Sequence, residues 1–157
     1  MMAVETDDHF SEIGSFESCA MITMHTSWLG QGHKMNLGFE VTGTKGAIIF
    51  DQEAMGEFQL YEMGDRKGGF ADTDRNGFKR VLIGPQHPPF GNFCPAPGHP
   101  VGFNEMKVIE VGEFVRAILE DAQAHPNFAD GLVFEEALPA IQAASEAKAW
   151  RTLGGAA

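Results

Sequence analysis

The apolar residues of this chain change their period once, and that change limits the folds open to it. In the first half they recur at every second position. Ala20, Ile22, Met24 and Trp28 share one parity, against Thr23, His25 and Ser27 on the other. Leu37, Phe39 and Val41 alternate with Gly38, Glu40 and Thr42, and Phe58 and Leu60 with Gln59 and Tyr61. Such alternation marks half-buried strands, because successive side chains of an extended chain leave on opposite sides. His9 to Phe16 and Arg80 to Ile83 are shorter candidates of the same kind. From Val108 the spacing becomes helical: Val108, Val111, Phe114, Val115, Ile118 and Leu119 form one stripe. A second helix is predicted after "HPNF", with Leu132, Phe134, Leu138, Ile141 and Ala144 facing inward and Asp130 as its N-cap. Pro139 lies inside that pattern and removes one helical hydrogen bond, so a kink or offset is expected there. Strands first and helices last predict an α+β domain. Its sheet is predominantly antiparallel and open-faced, helices pack on one face, and there is no Rossmann domain. The opposite face, with Thr23, His25, Ser27 and Glu40, is either bare to solvent or a floor for a ligand.

A chain of 157 residues fits one domain over 1–157. Its mean hydropathy of -0.15 is that of an ordinary globular protein, and its apolar runs are too short to cross a bilayer. The acidic opening MMAVETDDHF has no apolar segment, which predicts no secretory signal. Cys19 and Cys94 form neither a CxxC pair nor a disulfide framework, so a reducing, cytoplasmic setting is expected. The net charge of -11 excludes nucleic acid as an expected partner, since a phosphate backbone requires a basic surface. Seven of the eleven basic residues lie between Lys34 and Arg80, while Glu105 to Glu146 is acidic, as solvated helix faces are.

Gly43-Thr44-Lys45-Gly46 has the look of a phosphate cradle, but a P-loop places its lysine after the second glycine and leads into a helix. Here "AIIF" follows and is strand-like, so the four residues are read as a hairpin turn closed by a left-handed glycine. Ahead of it, "GQGHKMN" carries His33, Lys34 and Asn36, a combination that no hairpin connection demands. The bland reading is a polar loop. The stretch "GPQHPPFGNFCPAPGHP" can hold no long regular element and is predicted to be an ordered loop, because Phe90, Phe93 and Cys94 give it something to bury.

These residues carry a family resemblance. "TSWLGQGHKMNLGFEVTGTKGAIIFDQEAMGEFQLYE", followed by "FKRVLIGPQHPPFGNFCPAPGHPVGFNEMKVIEVGEFVRAI" and "NFADGLVFEEAL", resembles the C-terminal domain of the glucose-fructose oxidoreductase/inositol dehydrogenase/rhizopine catabolism family. The likeness runs from about Val4 to Trp150, and the E-V-x-G-T-K-G-A hairpin with the P-A-P-G-H loop is its most specific part. The branch it resembles most acts on inositols, glucosides and related sugars. The resemblance implies a substrate-side and oligomerisation domain of an oxidoreductase that moves hydride between NAD or NADP and a sugar or cyclitol hydroxyl. His33, Lys34, Asn36 and His99 would then bind substrate hydroxyls. A homo-oligomer joined through the open sheet face is expected, with a small polyol or sugar as substrate and no membrane partner.

The family's glycine-rich fingerprint and Glu-Lys-Pro motif have no counterpart in this sequence. Gly30-Gln31-Gly32 lacks the third glycine and the βαβ setting. No catalytic residue, cofactor ligand or metal ligand is therefore assigned, and the chain alone is expected to be inactive. Asp121-Ala122-Gln123-Ala124-His125 matches the family's Asp-x-x-x-His, but it falls at the end of the first helix and is read as a helix-terminal pair. His87, Cys94 and His99 could meet around zinc, though their spacing fits no standard module. The alternative function is a non-catalytic scaffold domain that dimerises through its sheet or complements a separate dinucleotide-binding chain.

Overall fold

The computed structural model describes residues 7–63 and 77–153. The chain divides into two compact units, one made of the residues up to Gly32 together with those from Asp121 onward, the other of His33–Glu120.

The first unit holds a hairpin and a helix. Strands β1 (His9–Ser15) and β2 (Met21–Ser27) pair antiparallel, with Ser11 opposite His25 and Ile13 opposite Thr23. The turn between them is tied by Phe16 N–H donating to the Ala20 carbonyl at 2.9 Å, and Cys19 in it has φ of 65°. One hairpin face carries Thr23, His25 and Ser27, as the alternation predicts, and the His9 and His25 rings meet edge-on at 4.8 Å. Helix α2 (Phe128–Ala147) runs through Pro139 without interruption. Its N-cap is Asn127 rather than Asp130: the Asn127 side chain accepts from the N–H groups of Ala129 and Asp130. Asp130 sits three residues on and reaches back to the Asn127 N–H at 2.7 Å. Asp130, the cap expected from the sequence, is the N3 half of a reciprocal capping box whose N-cap is Asn127.

The second unit holds a four-stranded antiparallel sheet in the order β3-β4-β5-β6, with β3 (Gly38–Gly43), β4 (Gly46–Asp51), β5 (Glu57–Glu62) and β6 (Lys79–Leu82). Gly43 pairs with Gly46, leaving Thr44 and Lys45 as the turn. The glycine at 46 is not in the left-handed turn conformation expected of it. Its φ is 159°, and a Cβ there would stand 2.1 Å from the Tyr61 carbonyl oxygen on β5. The glycine serves close approach of the next strand. One face of this sheet carries Phe39, Val41, Ile48, Phe50, Leu60, Phe58 and Val81; the other carries Gly38, Glu40, Thr42, Gln59 and Tyr61.

After β6 comes the proline-rich loop, which contains a single 3₁₀ turn at Phe90–Asn92. Cys94 is 1% exposed and Val101 5%, while Phe90 and Phe93 are half-buried, so the loop is ordered around the residues that the sequence offers for burial. Helix α1 (Phe103–Leu119) begins earlier than its apolar stripe, with the Glu105 carboxylate accepting from the Gly102 N–H at 2.7 Å.

The α+β class and the open antiparallel sheets are as the periodicity predicts. The strands, however, belong to two sheets, so Thr23, His25 and Ser27 lie on one and Glu40 on the other. The stripes of both helices are exposed, including Val111, Phe114, Ile118, Leu132 and Phe134, and so are Phe39 (51%) and Val41 (58%) at the β3 edge. Periodicity records that a face is made to be covered; it does not say by what. Among the described residues no helix is long and apolar enough to cross a membrane.

Candidate functional site

The site is built by the β3–β4 hairpin. Gly38 pairs with Asp51, so the antiparallel register continued two residues outward sets Asn36 opposite Glu53. Strand β4 stops at Asp51, whose carboxylate accepts from the Glu53 N–H at 2.9 Å and starts the 3₁₀ turn Gln52–Ala54. The Gln52 N–H donates to the Leu37 carbonyl at 2.9 Å and holds that turn beside the loop.

Three donors converge on the Glu53 carboxylate. The His33 Nδ1 lies 3.1 Å from Oε2, the Asn36 amide donates to the same oxygen at 3.2 Å, and the Lys34 backbone N–H donates to Oε1. Asn36 also reaches Asp51 Oδ1 at 3.3 Å. These bonds hold the Glu53 carboxyl below its ordinary value of 4.5. The His33 bond is the largest cause, the Lys34 N–H comes next, and partial burial opposes both.

The structure thus brings His33, Lys34 and Asn36 together, and the sequence reading missed what gathers them. Asp51 and Glu53 were legible only through the hairpin register: once the turn is centred on Thr44-Lys45, residues 36 and 53 must face each other. His99 stands apart in the loop. Its Nδ1 lies 3.2 Å from the Ala96 carbonyl, and no hydrogen bond joins it to His33, Lys34 or Asn36 among the described residues. Its neighbour Pro100 packs on Gly56, where a Cβ would come within 2.5 Å of the proline ring. This contact fixes the PAPGH loop against the sheet three residues beyond Glu53.

The other constellations have partners of their own. His87 accepts from the Gly84 N–H at 3.2 Å through Nδ1 and meets the Phe58 ring edge-on, whereas Cys94 is buried and His99 exposed. Among the described residues no three His, Cys, Asp or Glu side chains gather as metal ligands would. Asp121 and His125 are not a helix-terminal pair. Helix α1 ends at Leu119, Asp121 adopts a left-handed φ of 50°, and His125 lies beyond the helix, 3.5 Å from Asp130. The Asp130 carboxyl is held below its ordinary value first by the Asn127 N–H and then, against partial burial, by His125.

No protein-family model matches the chain. Levoglucosan dehydrogenase of Pseudarthrobacter phenanthrenivorans is 33% identical over 128 residues, 82% of this chain and 31% of that enzyme. The chain is homologous to part of that enzyme. Levoglucosan dehydrogenase in complex with NADH and levoglucosan superposes with a TM-score of 0.88 at 29% identity, over 98% of this chain and 40% of that one. An NAD binding oxidoreductase from Klebsiella pneumoniae matches with a TM-score of 0.86 at 30% identity, over 99% and 40%. An oxidoreductase domain protein from Kribbella flavida matches at 0.84 and 28% identity, over 96% and 37%. The chain therefore spans about a third of the curated relative's length. Matches of this extent agree with a C-terminal domain of the oxidoreductase family that the sequence resembles.

Proposed function

We propose that this chain is the substrate side of an NAD(P)-dependent oxidoreductase acting on a sugar, glucoside or inositol hydroxyl. The observation that carries the reading is the likeness to levoglucosan dehydrogenase, extending over 82% of the chain at 33% identity. The loop geometry supports it. A polyol is recognised by donors and acceptors placed around its hydroxyls, and His33, Asn36 and the Lys34 backbone are gathered on one carboxylate at the end of the β3–β4 hairpin. His99, in the loop packed on Gly56, would add a fourth polar group.

The described helix N-termini do not fit a dinucleotide. A pyrophosphate seeks a helix start that offers N–H groups and positive potential, and here the Glu105 and Asp130 carboxylates bond the N-cap N–H groups of Gly102 and Asn127 and set a negative charge at the start of α1 and of α2.

The test is a chimaera in which this chain replaces the homologous segment of the Pseudarthrobacter levoglucosan dehydrogenase. NADH formation is followed with levoglucosan, glucose and myo-inositol. Turnover of at least one is expected, and the chain by itself should form no NADH. A folded chimaera that binds NADH normally yet oxidises none of them overturns the reading.

A further inference from the structure

We propose that Glu53 is a positioning residue that locks His33 in one tautomer, so that its Nε2 faces a substrate hydroxyl as a hydrogen-bond acceptor. An ionised carboxylate can only accept. With Oε2 of Glu53 at 3.1 Å, Nδ1 of a neutral His33 must carry the proton, and Nε2 is left with its lone pair. The carboxylate is itself fixed at two points, since the Lys34 backbone N–H holds Oε1 while His33 and Asn36 share Oε2. Asp51 anchors the far side through the Glu53 N–H and the Asn36 amide. The His33 side chain is 63% exposed and that of Glu53 28%, so the imidazole is the member of the pair that a ligand can reach.

An unheld exposed histidine would instead exchange tautomers and present a donor or an acceptor by turns. A fixed acceptor discriminates, because a sugar hydroxyl can donate to it whereas an ether oxygen or a carboxylate cannot. Glu53 thus does for His33 what an outer carboxylate does for a metal-bound imidazole, with a substrate hydroxyl in place of the metal. The identity of the hydroxyl's owner rests on the proposed function; the tautomer does not.

The test separates the two. Nitrogen-15 correlation spectra of the intact chain at neutral pH report the tautomer of each histidine, with the His33 signals assigned from His33→Gln. The Nδ1–H form is expected for His33, and Glu53→Ala should return it to a mixture dominated by Nε2–H. Glu53→Gln, which keeps an acceptor oxygen and the side-chain shape, should retain much of the Nδ1–H form if the variant folds as the parent does. Levoglucosan and myo-inositol are then titrated in, and a shift of the His33 Nε2 signal is expected with at least one of them. In the chimaera, Glu53→Ala should raise KM roughly tenfold with a much smaller change in kcat. A His33 in the Nε2–H form in the parent overturns the proposal. So does an Nδ1–H form whose Nε2 signal ignores polyols that shift other residues. A chimaera without turnover counts against the proposed function, and the tautomer measurement stands independently of it.

Discussion

Replacing Gly46 with alanine tests the architecture that presents the site. The added Cβ would stand 2.1 Å from the Tyr61 oxygen, whereas ordinary contact begins at 3.4 Å, so β5 must retreat by about 1.3 Å at that point. The obstacle is backbone and cannot rotate aside. Overpacking of this kind costs about 1–3 kcal/mol. The retreat also strains the bond from the Met63 N–H to the Lys45 carbonyl, at 2.9 Å, whose loss costs roughly 1 kcal/mol. Against these stands a gain of about 0.4–1 kcal/mol from the reduced freedom of the unfolded chain. The net expectation is a loss of roughly 1–3.5 kcal/mol, read from urea unfolding followed by circular dichroism. Amide exchange at Met63 should accelerate with it. A Gly46→Ala protein within about 0.5 kcal/mol of the parent, with Met63 still protected, would refute the close-approach argument.

Gly112, in α1, has nothing within 4 Å of a prospective Cβ, so Gly112→Ala should stabilise by about 0.5–1 kcal/mol in the same urea assay. Asn127→Ala removes the α2 N-cap and should cost about 1 kcal/mol. The Glu53 and Asp130 carboxyls titrate below their ordinary 4.5 and 3.8, so their stabilisation is full above those values and lost as pH falls through the lower folded ones; urea midpoints that rise on acidification would contradict this. A maleimide should label the exposed Cys19 at once and the buried Cys94 only after denaturation, and equal rates would place Cys94 wrongly. The chain is expected to self-associate through its sheet, dissociating on Gly38→Glu; sedimentation as a single species near 17.1 kDa would exclude this.

Local features of the sequence were legible in proportion to how local their causes are. Alternation found β2, β3 and β5, and the helical stripes found α1 and α2, because strand and helix periods follow from backbone geometry alone. The Asn127–Asp130 box was half seen, since either residue type can cap, each donates its N–H to the other's side chain, and only the structure shows that the helix starts after Asn127. His33, Lys34 and Asn36 stood out by composition, but Glu53 did not: a glutamate after a strand has no signature until the register sets it across from residue 36. The separation of β1–β2 from β3–β6 was illegible because alternation describes a strand's faces and not its neighbours. Asp121 and His125 show the opposite error. A spacing of four suggested a shared helix turn, and the left-handed φ at Asp121 ends that turn first.

The only buried hydrophobic residues among the described ones, Cys94 and Val101, both belong to the loop between β6 and α1. Their isolation has a calorimetric consequence. The heat-capacity increment and the denaturant slope of unfolding both grow with the apolar surface newly exposed. A chain whose Phe114, Ile118, Phe39 and Val41 already meet water has less left to expose than one in which they are covered. By itself it should therefore melt over a broad interval with a shallow slope. Once another surface lies over those side chains, both quantities should rise and the transition sharpen, with every internal hydrogen bond of the chain left as it is.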